Sequence, residues 1–201
     1  MSFFPGMAGG MMMVSPVVGI PPTIINQPFA GAVLVKPGAN FVTIHCIGCG
    51  ADSASGGNGG GAGAYSGIFL RSLAALGSPT ELSCTLQYGS DTSVTVENTF
   101  GQDVDLVLAA TATTNIGAEE IDCVGEIRHH GGNGSGSRGG GAGGSMAFGS
   151  GAAGGSGDPA GGDGGESSHP DGYLPGGGGY NPGGLGALGY IRIEWYETSE
   201  V

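Results

Sequence analysis

The distribution of glycine is the feature that most restricts what this chain can fold into. Of the 60 residues from 131 to 190, 27 are glycine, and a shorter block at 56–67 contains 7 in 12. Glycine has no side chain with which to build an apolar core, and it loses much backbone entropy when it is ordered. Such segments either stay solvated or become ordered through backbone hydrogen bonds between neighbouring segments.

Spaced apolar residues within the glycine blocks favour the ordered alternative, because a solvated linker needs none of them. These residues are Met146, Phe148, Tyr173, Leu174, Tyr180, Leu185 and Leu188. Strand-like apolar segments also flank both blocks. We therefore expect extended glycine segments of polyproline II geometry, with about three residues per turn, that hydrogen-bond to one another.

Outside the glycine blocks, the hydropathy pattern alternates with the period of a β-strand. Val42, Ile44 and Cys46 share one face of segment 41–47, and similar alternation occurs at 81–88, 93–97, 103–108 and 190–196. A Pro-Gly turn at 36–39 predicts a hairpin between 32–35 and 41–47. We expect the last strand to pair with 41–47. The fold class predicted is all-β, a small β-sandwich or sheet platform with ordered polyglycine II-like loops and little or no helix.

Four units follow from these patterns. Residues 1–28 are an extended apolar N-terminal arm, and residues 29–130 are a β platform with a short glycine-rich insertion at 50–67. Residues 131–189 form the glycine-rich loop region, and residues 190–201 form the closing β-strand and tail. The apolar arm packs either on a partner or over its own domain. Because an apolar arm needs a partner surface, we expect the chain to form a homo-oligomer.

The net charge of −12 excludes several function classes. With one lysine and four arginines, the chain has too few cations to neutralise a nucleic acid or bind an anionic membrane. Prolines interrupt every apolar run near the N-terminus, so membrane insertion is not expected, and the first 35 residues have no basic group for a secretory signal. We expect folding in a reducing cytoplasm and buried thiols.

Two sets of residues are weak candidates for metal ligands, and no metal or cofactor is predicted. Cys46 and Cys49 form a CxxC pair, which Cys84 and Cys123 could complete as a zinc site. The second pair is 39 residues apart, unlike a zinc ribbon. The other set, suited to calcium by its oxygen ligands, is Asp158, Asp163, Glu166 and Asp171. It has no repeated calcium-binding motif.

Turns between ordered glycine segments would present polar and aromatic side chains to solvent. The residues expected there are Asn58, Tyr65, Asn133, Arg138, Phe148, Asp158, Asp163, Glu166, His169, Asp171, Tyr173 and Tyr180. His169, Tyr173 and Tyr180 are the candidate recognition residues, although all of these residues could instead only stabilise turns. Solvated or tip positions are expected for His45, His129, His130 and His169. No nucleophile motif of a hydrolase occurs, so we predict no catalytic residue and no enzyme.

Two motifs resemble the glycine-rich tip proteins of tailed bacteriophages. They are GADSASGGNGGGAGAYSG at 50–67 and GYIRIEW at 189–195, and the resemblance spans about residues 30–196. It implies a β platform with polyglycine II loops in a virion component, often an adhesin at a tail-fibre tip.

The function expected from this resemblance is that of a bacteriophage virion structural protein of a tail or appendage, assembled in the host cytoplasm. Its glycine-rich region would recognise a host-surface glycan or protein non-covalently, and its N-terminal arm would attach to other virion proteins. The alternative is a purely structural virion decoration or connector without receptor binding. A cell-surface or ice-binding protein and a metal-dependent enzyme rank behind both.

Overall fold

The computed structural model describes residues 18–53, 57–97 and 102–197. Within these ranges it contains nine strands, one short 3-10 helix at Glu120–Asp122 and no α-helix. The strands are β1 (Val18–Ile25), β2 (Phe29–Leu34), β3 (Phe41–Ile47), β4 (Tyr65–Ser72), β5 (Glu81–Leu86), β6 (Thr92–Glu97), β7 (Asp103–Ala109), β8 (Ile127–His129) and β9 (Tyr190–Glu197). None of the helical structure described has the length and hydropathy that crossing a membrane requires.

The strands form two antiparallel sheets, which confirms the prediction of an all-β fold and is consistent with a sandwich. The larger sheet has the order β1-β9-β3-β4-β8, and the smaller has the order β2-β5-β6-β7. Apolar residues of both sheets form one buried cluster, because alternate residues of each strand point inward. Its members include Val42, Ile44, Ile193 and Trp195 from the larger sheet and Leu82, Val94 and Val107 from the smaller.

The closing strand β9 lies inside the larger sheet. It pairs with β3 from Phe41↔Tyr196 to Ile47↔Tyr190, which confirms the predicted pairing of these two strands. Its other side pairs with β1. Ile191 and Ile193 point into the core, whereas Arg192 lies on the opposite face with Glu194, so the strand alternates as its sequence predicts.

The predicted hairpin between 32–35 and 41–47 is wrong. The turn itself forms, with the Ala39 N–H donating to the Lys36 carbonyl at 3.1 Å, but it leads from one sheet to the other. β2 pairs with β5 at the edge of the smaller sheet, while β3 lies between β4 and β9. A turn signal predicts where the chain reverses but does not specify the pairing partner, which depends on the burial of each strand.

The last part of the predicted N-terminal arm, residues 18–25, forms a strand of the sheet. Its pairing with β9 shifts register between Ile20 and Thr23, where Pro21 and Pro22 lie. Proline cannot donate to a ladder and is tolerated at a bulge or an edge, and β1 is both bulged and an edge strand. The remainder of the arm, residues 1–17, lies outside the described residues.

Candidate functional site

Backbone hydrogen bonds between separate segments hold the glycine-rich region together. We define the glycine bundle as segments 48–53, 57–64, 110–118 and 130–189. In 59–64, residues three apart donate to the same neighbouring stretch of chain. The donor–acceptor pairs are Gly59–Gly136 and Ala62–Gly132, then Gly60–Gly179 and Gly63–Gly176, then Gly61–Thr114 and Ala64–Ala110. A period of about three is that of polyproline II geometry, so this is the hydrogen-bonding pattern of polyglycine II.

The same three-residue period of hydrogen bonding recurs in segment 139–143. The N–H groups of Gly139 and Ala142 donate to the stretch 162–165, and those of Gly140 and Gly143 donate to the stretch 60–63. Each central segment therefore binds several neighbours at once, and few of its polar backbone groups depend on water. The predicted ordering of the glycine loops is confirmed.

Close contact between backbones explains why glycine is required in the bundle. A Cβ atom on Gly60 would lie 1.9 Å from the carbonyl oxygen of Ala51, and one on Gly63 would lie 2.0 Å from that of Gly48. A Cβ on Gly178 would lie 2.1 Å from the Gly60 oxygen. Real Cβ atoms do not approach backbone atoms so closely, so any side chain at these positions would push the segments apart.

The ends of the bundle are fixed by the strands of the larger sheet. β3 continues directly into 48–53, segment 57–64 leads into β4, and the last glycine segment leads into β9. Cys49 adds a contact across the junction, because its Sγ accepts from the Gly189 N–H at 3.3 Å and donates to the Gln87 carbonyl at 3.3 Å. The sandwich thus anchors the ends of the glycine segments.

Several turns of the bundle meet at its far end. We define the tip as the turns 135–138, 166–169 and 180–184. Asn181 joins two parts of this end, since its N–H donates to the Ser137 carbonyl at 2.7 Å and its side-chain amide donates to the Asn58 carbonyl at 3.1 Å. The turns 135–138 and 166–169 are each closed by a pair of backbone hydrogen bonds between their end residues.

Two of the three candidate recognition residues are in contact at the tip, where His169 belongs to the turn 166–169 and Tyr173 follows it closely in the chain. The rings of His169 and Tyr173 stack with centroids 4.4 Å apart and planes 22° from parallel, and both side chains are exposed. Tyr180 lies on the neighbouring segment and is half-buried, with its N–H donating to the Pro170 carbonyl at 2.7 Å. The structure therefore presents an ordered pair of rings to solvent.

Most of the remaining residues predicted to face solvent do so. The exposed ones are Asn58, Asn133, Arg138, Phe148, Asp158, Asp163, Glu166 and Asp171. Tyr65 is an exception, and its prediction is wrong, because it is the first residue of β4 and is fully buried where the bundle meets the sheet. The glycines next to Tyr65 interrupt the alternation of apolar and polar residues by which a strand is recognised in a sequence.

His45 is also buried, so the predicted solvated position is wrong for this histidine. Its Nδ1 lies 2.8 Å from the Tyr65 hydroxyl, and its Nε2 lies 3.9 Å from Glu194 Oε1. Burial lowers the pKa of His45, and the nearby Glu194 carboxylate only partly opposes this. Burial raises the pKa of Tyr65. His129 and His130 are half-buried, whereas His169 is exposed.

The four carboxylates considered for calcium are not brought together. Each has a different partner within the structure: Asp158 pairs with Arg192, Asp163 accepts from the Gly154 N–H, Glu166 accepts from the Ser168 hydroxyl, and Asp171 accepts from the Leu185 N–H. Across the described ranges, no group of three or more His, Cys, Asp or Glu side chains is placed to hold a metal ion.

The four cysteines are free and buried, which confirms the prediction of buried thiols. Cys46 and Cys84 belong to the sandwich core, whereas Cys123 packs in a separate cluster of alanines. Burial raises the pKa of all four thiols, that of Cys84 to about 12. Their low tendency to ionise makes them poor nucleophiles.

The sequence patterns did not predict a groove that lies beside the bundle. It encloses about 890 Å³ between the bundle and the turn that links β5 and β6, and we call it the side groove. Its lining includes Asp52, Tyr88, Asp171, Leu174 and Leu185. These residues come from separate parts of the chain that only the folded bundle brings together, so no local pattern could have identified them.

No protein-family model and no curated protein matches this sequence. The assignment of a function therefore depends on the motifs at 50–67 and 189–195 and on the geometry of the tip and the side groove.

Proposed function

We propose that this chain is a bacteriophage virion structural protein of a tail or appendage, which displays its glycine bundle for non-covalent recognition of a host surface. The bound component would be a glycan or a protein of the host cell. The resemblance of the two motifs to those of glycine-rich phage tip proteins supports this assignment, and so does the arrangement of a β-sandwich with polyglycine II-like segments.

The observation that best supports recognition is the exposed His169–Tyr173 stack on a hydrogen-bonded backbone. Both rings are already ordered against each other, 4.4 Å apart, so binding a ligand would immobilise few additional side chains. Aromatic rings on a rigid scaffold provide a large contact area for little loss of conformational entropy. The backbone bonds that close the turn 166–169 hold the histidine in place.

The proposal includes attachment to other virion proteins through the N-terminal arm, residues 1–28, and assembly as a homo-oligomer in the host cytoplasm. It involves no enzymatic step, no cofactor and no nucleic acid. The net charge of −12 supports a surface role, because it favours solubility and disfavours contact with phosphate backbones.

A purely structural role as a decoration or connector is the second candidate. The exposed side chains of Met146 and Phe148 favour it, because they lie in the bundle at a distance from the tip and could contact another virion subunit. In that case the glycine bundle would fill space between subunits instead of contacting the host.

Adsorption of phage particles to their host cells tests the recognition role. Particles that contain the His169→Ala/Tyr173→Ala double variant should assemble normally but adsorb at least about tenfold more slowly, because the stacked rings would no longer contribute their contact energy. Ile121→Ala is the matched control, since it removes an exposed apolar side chain that lies outside both the tip and the side groove. Its adsorption should be unchanged.

Two results would contradict recognition by the tip. One is normal adsorption of the double variant in correctly assembled particles. The other is a density map of the intact particle in which residues 131–189 are enclosed between virion subunits, which would instead support the connector role.

A further inference from the structure

The side groove contains two carboxylates that the bundle holds in fixed positions. Asp52 Oδ1 accepts from the Gly186 N–H at 2.8 Å, and Asp171 Oδ1 accepts from the Leu185 N–H at 2.9 Å. Consecutive residues of one glycine-rich segment thus orient both acids. A carboxylate has two oxygens with several acceptor positions, so each acid retains capacity for another donor.

The described lining of the groove contains no cation that compensates these negative charges. No lysine or arginine lies among the described residues that line it, and neither carboxylate forms a salt bridge within the described part of the chain. Arg71 and Arg192 are paired with acids elsewhere. The groove therefore has a negative potential on a chain of net charge −12.

The walls of the groove are apolar and exposed. Tyr88, Leu174 and Leu185 are 63%, 65% and 58% exposed, although large apolar side chains gain free energy from burial. A volume of about 890 Å³ is within the range of small-ligand sites and can hold a short stretch of extended chain. Together, the walls and the acids suit a ligand with an apolar stem and a positive end.

Lysine and arginine side chains have this chemistry. Their methylene stems lie along apolar surfaces while the charged ends reach polar groups, and charge-assisted hydrogen bonds to carboxylates are stronger than neutral ones. The ring of Tyr88 offers a further favourable surface, because a cation is attracted to the face of an aromatic ring. An anionic glycan would instead be repelled by both acids.

We propose that the side groove binds an extended protein segment through a lysine or arginine side chain that contacts Asp52 and Asp171. Neither His169 nor Tyr173 lines the groove, but Gly172 and Leu174 on either side of Tyr173 do, so the two sites are adjacent and use different side chains. The proposal concerns binding by the isolated chain and does not depend on the display role.

Fluorescence anisotropy with the purified full chain tests the proposal. The probe is a fluorescein-labelled peptide of glycine, serine and leucine with two lysines, and the comparison probe is the same peptide with both lysines acetylated. We expect acetylation to weaken binding at least about tenfold, because it removes the charge but keeps the stem. Raising the salt concentration to about 0.5 M should weaken binding of the lysine peptide several-fold.

Asp171→Asn locates the binding site. An asparagine oxygen can still accept from the Leu185 N–H, so the variant removes the charge and keeps the structural hydrogen bond. Binding should fall about fivefold to tenfold. Asp163→Asn is the matched control, because Asp163 accepts from the Gly154 N–H in the same manner but does not line the groove. Its binding should equal that of the wild type.

Three outcomes would overturn the proposal. Equal binding of the lysine and acetyl-lysine peptides would exclude recognition of the cation. Equal losses in Asp171→Asn and Asp163→Asn, with both variants folded by circular dichroism, would indicate attraction to the overall charge instead of the groove. Salt-independent binding of a neutral oligosaccharide that competes with the lysine peptide would assign the groove to glycans.

Discussion

The sandwich and the glycine bundle reach close packing by opposite means. In the sandwich, side chains such as Trp195 and Leu82 fill the space between two sheets, and the backbones stay apart. In the bundle, backbones themselves are in contact, with hydrogen bonds of 2.6–3.1 Å joining separate segments. One region gains its stability from apolar burial, and the other depends largely on satisfied backbone groups.

This difference reverses the usual effect of side-chain size. Loss of a large side chain leaves a cavity in the sandwich, whereas gain of a single methyl group separates the segments of the bundle. The difference also explains how a chain with so few large apolar residues can order its long glycine-rich region.

The largest effect is expected for Gly60→Ala, at the centre of the bundle. The added Cβ would lie 1.9 Å from the Ala51 carbonyl oxygen, which belongs to backbone and cannot rotate away. We expect a loss of more than about 4 kcal/mol in the free energy of unfolding, or failure to fold. Chemical denaturation followed by circular dichroism measures this quantity.

Gly19→Ala is the matched control for this substitution. Gly19 lies in β1, and an added Cβ would have no heavy atom within 4 Å. The same chemical change should therefore alter the free energy of unfolding by no more than about 1 kcal/mol, with stabilisation as the expected sign. Equal effects at the two positions would contradict the distinction between the regions.

A smaller contrast is expected when side chains are removed. Leu82→Ala in the sandwich should lower the free energy of unfolding by about 3 kcal/mol, because it leaves a cavity in a fully buried core. Ala142→Gly in the bundle should cost only about 1 to 2 kcal/mol, because it adds the backbone entropy of glycine and removes one small buried methyl group. Comparable losses from thermal or chemical unfolding of the two variants would show that side chains stabilise both regions alike.

Much of the sandwich could be predicted, because the alternation of apolar and polar residues along a strand shows which of its faces is buried. The pairing of β9 with β3 followed from the alternation at 190–196 and the need for a partner strand. The partner of β2 could not be predicted, since the turn at 36–39 is compatible with either sheet. β1 was missed because Pro21 and Pro22 hide a strand that is tolerated only at a bulged edge.

The candidate site could be predicted only in part. Exposure of His169 and Tyr173 followed from their positions among glycines, but their stacking depends on the turn that places residue 173 beside residue 169. Tyr65 and His45 were misplaced because burial beneath the bundle cannot be inferred from either strand alone. The side groove could not be predicted, because Asp52 and Asp171 are brought to the same region only by their hydrogen bonds to the consecutive residues Gly186 and Leu185.

The smallest effect expected is a dependence of stability on pH at the junction of the two regions. Burial holds the pKa of His45 below its value in the unfolded chain, where the group binds a proton more readily. Stability should therefore fall as the pH is lowered through about 6.5, by less than about 1.4 kcal/mol per pH unit. Glu194 moderates this effect, since it raises the same pKa, while Arg192 lowers it.

His45→Gln isolates this contribution, because glutamine does not titrate. The midpoint of chemical unfolding, measured at pH 7.5 and at pH 5.5, should change less in the variant than in the wild type. An identical change in both proteins would mean that His45 is solvated and that the bundle does not cover the sheet at this point.

Hydrogen exchange of the bundle amides tests the central claim, that glycine segments are ordered by their own backbone bonds. The N–H groups of Gly60, Gly140 and Gly178 each donate to another segment and not to solvent. Measured by NMR at neutral pH, they should exchange within about tenfold of the rate of Ile193 in β9, because both then require opening of the same folded structure. Exchange of these glycine amides within seconds, with Ile193 still protected, would show that the bundle is a solvated loop and would contradict the account.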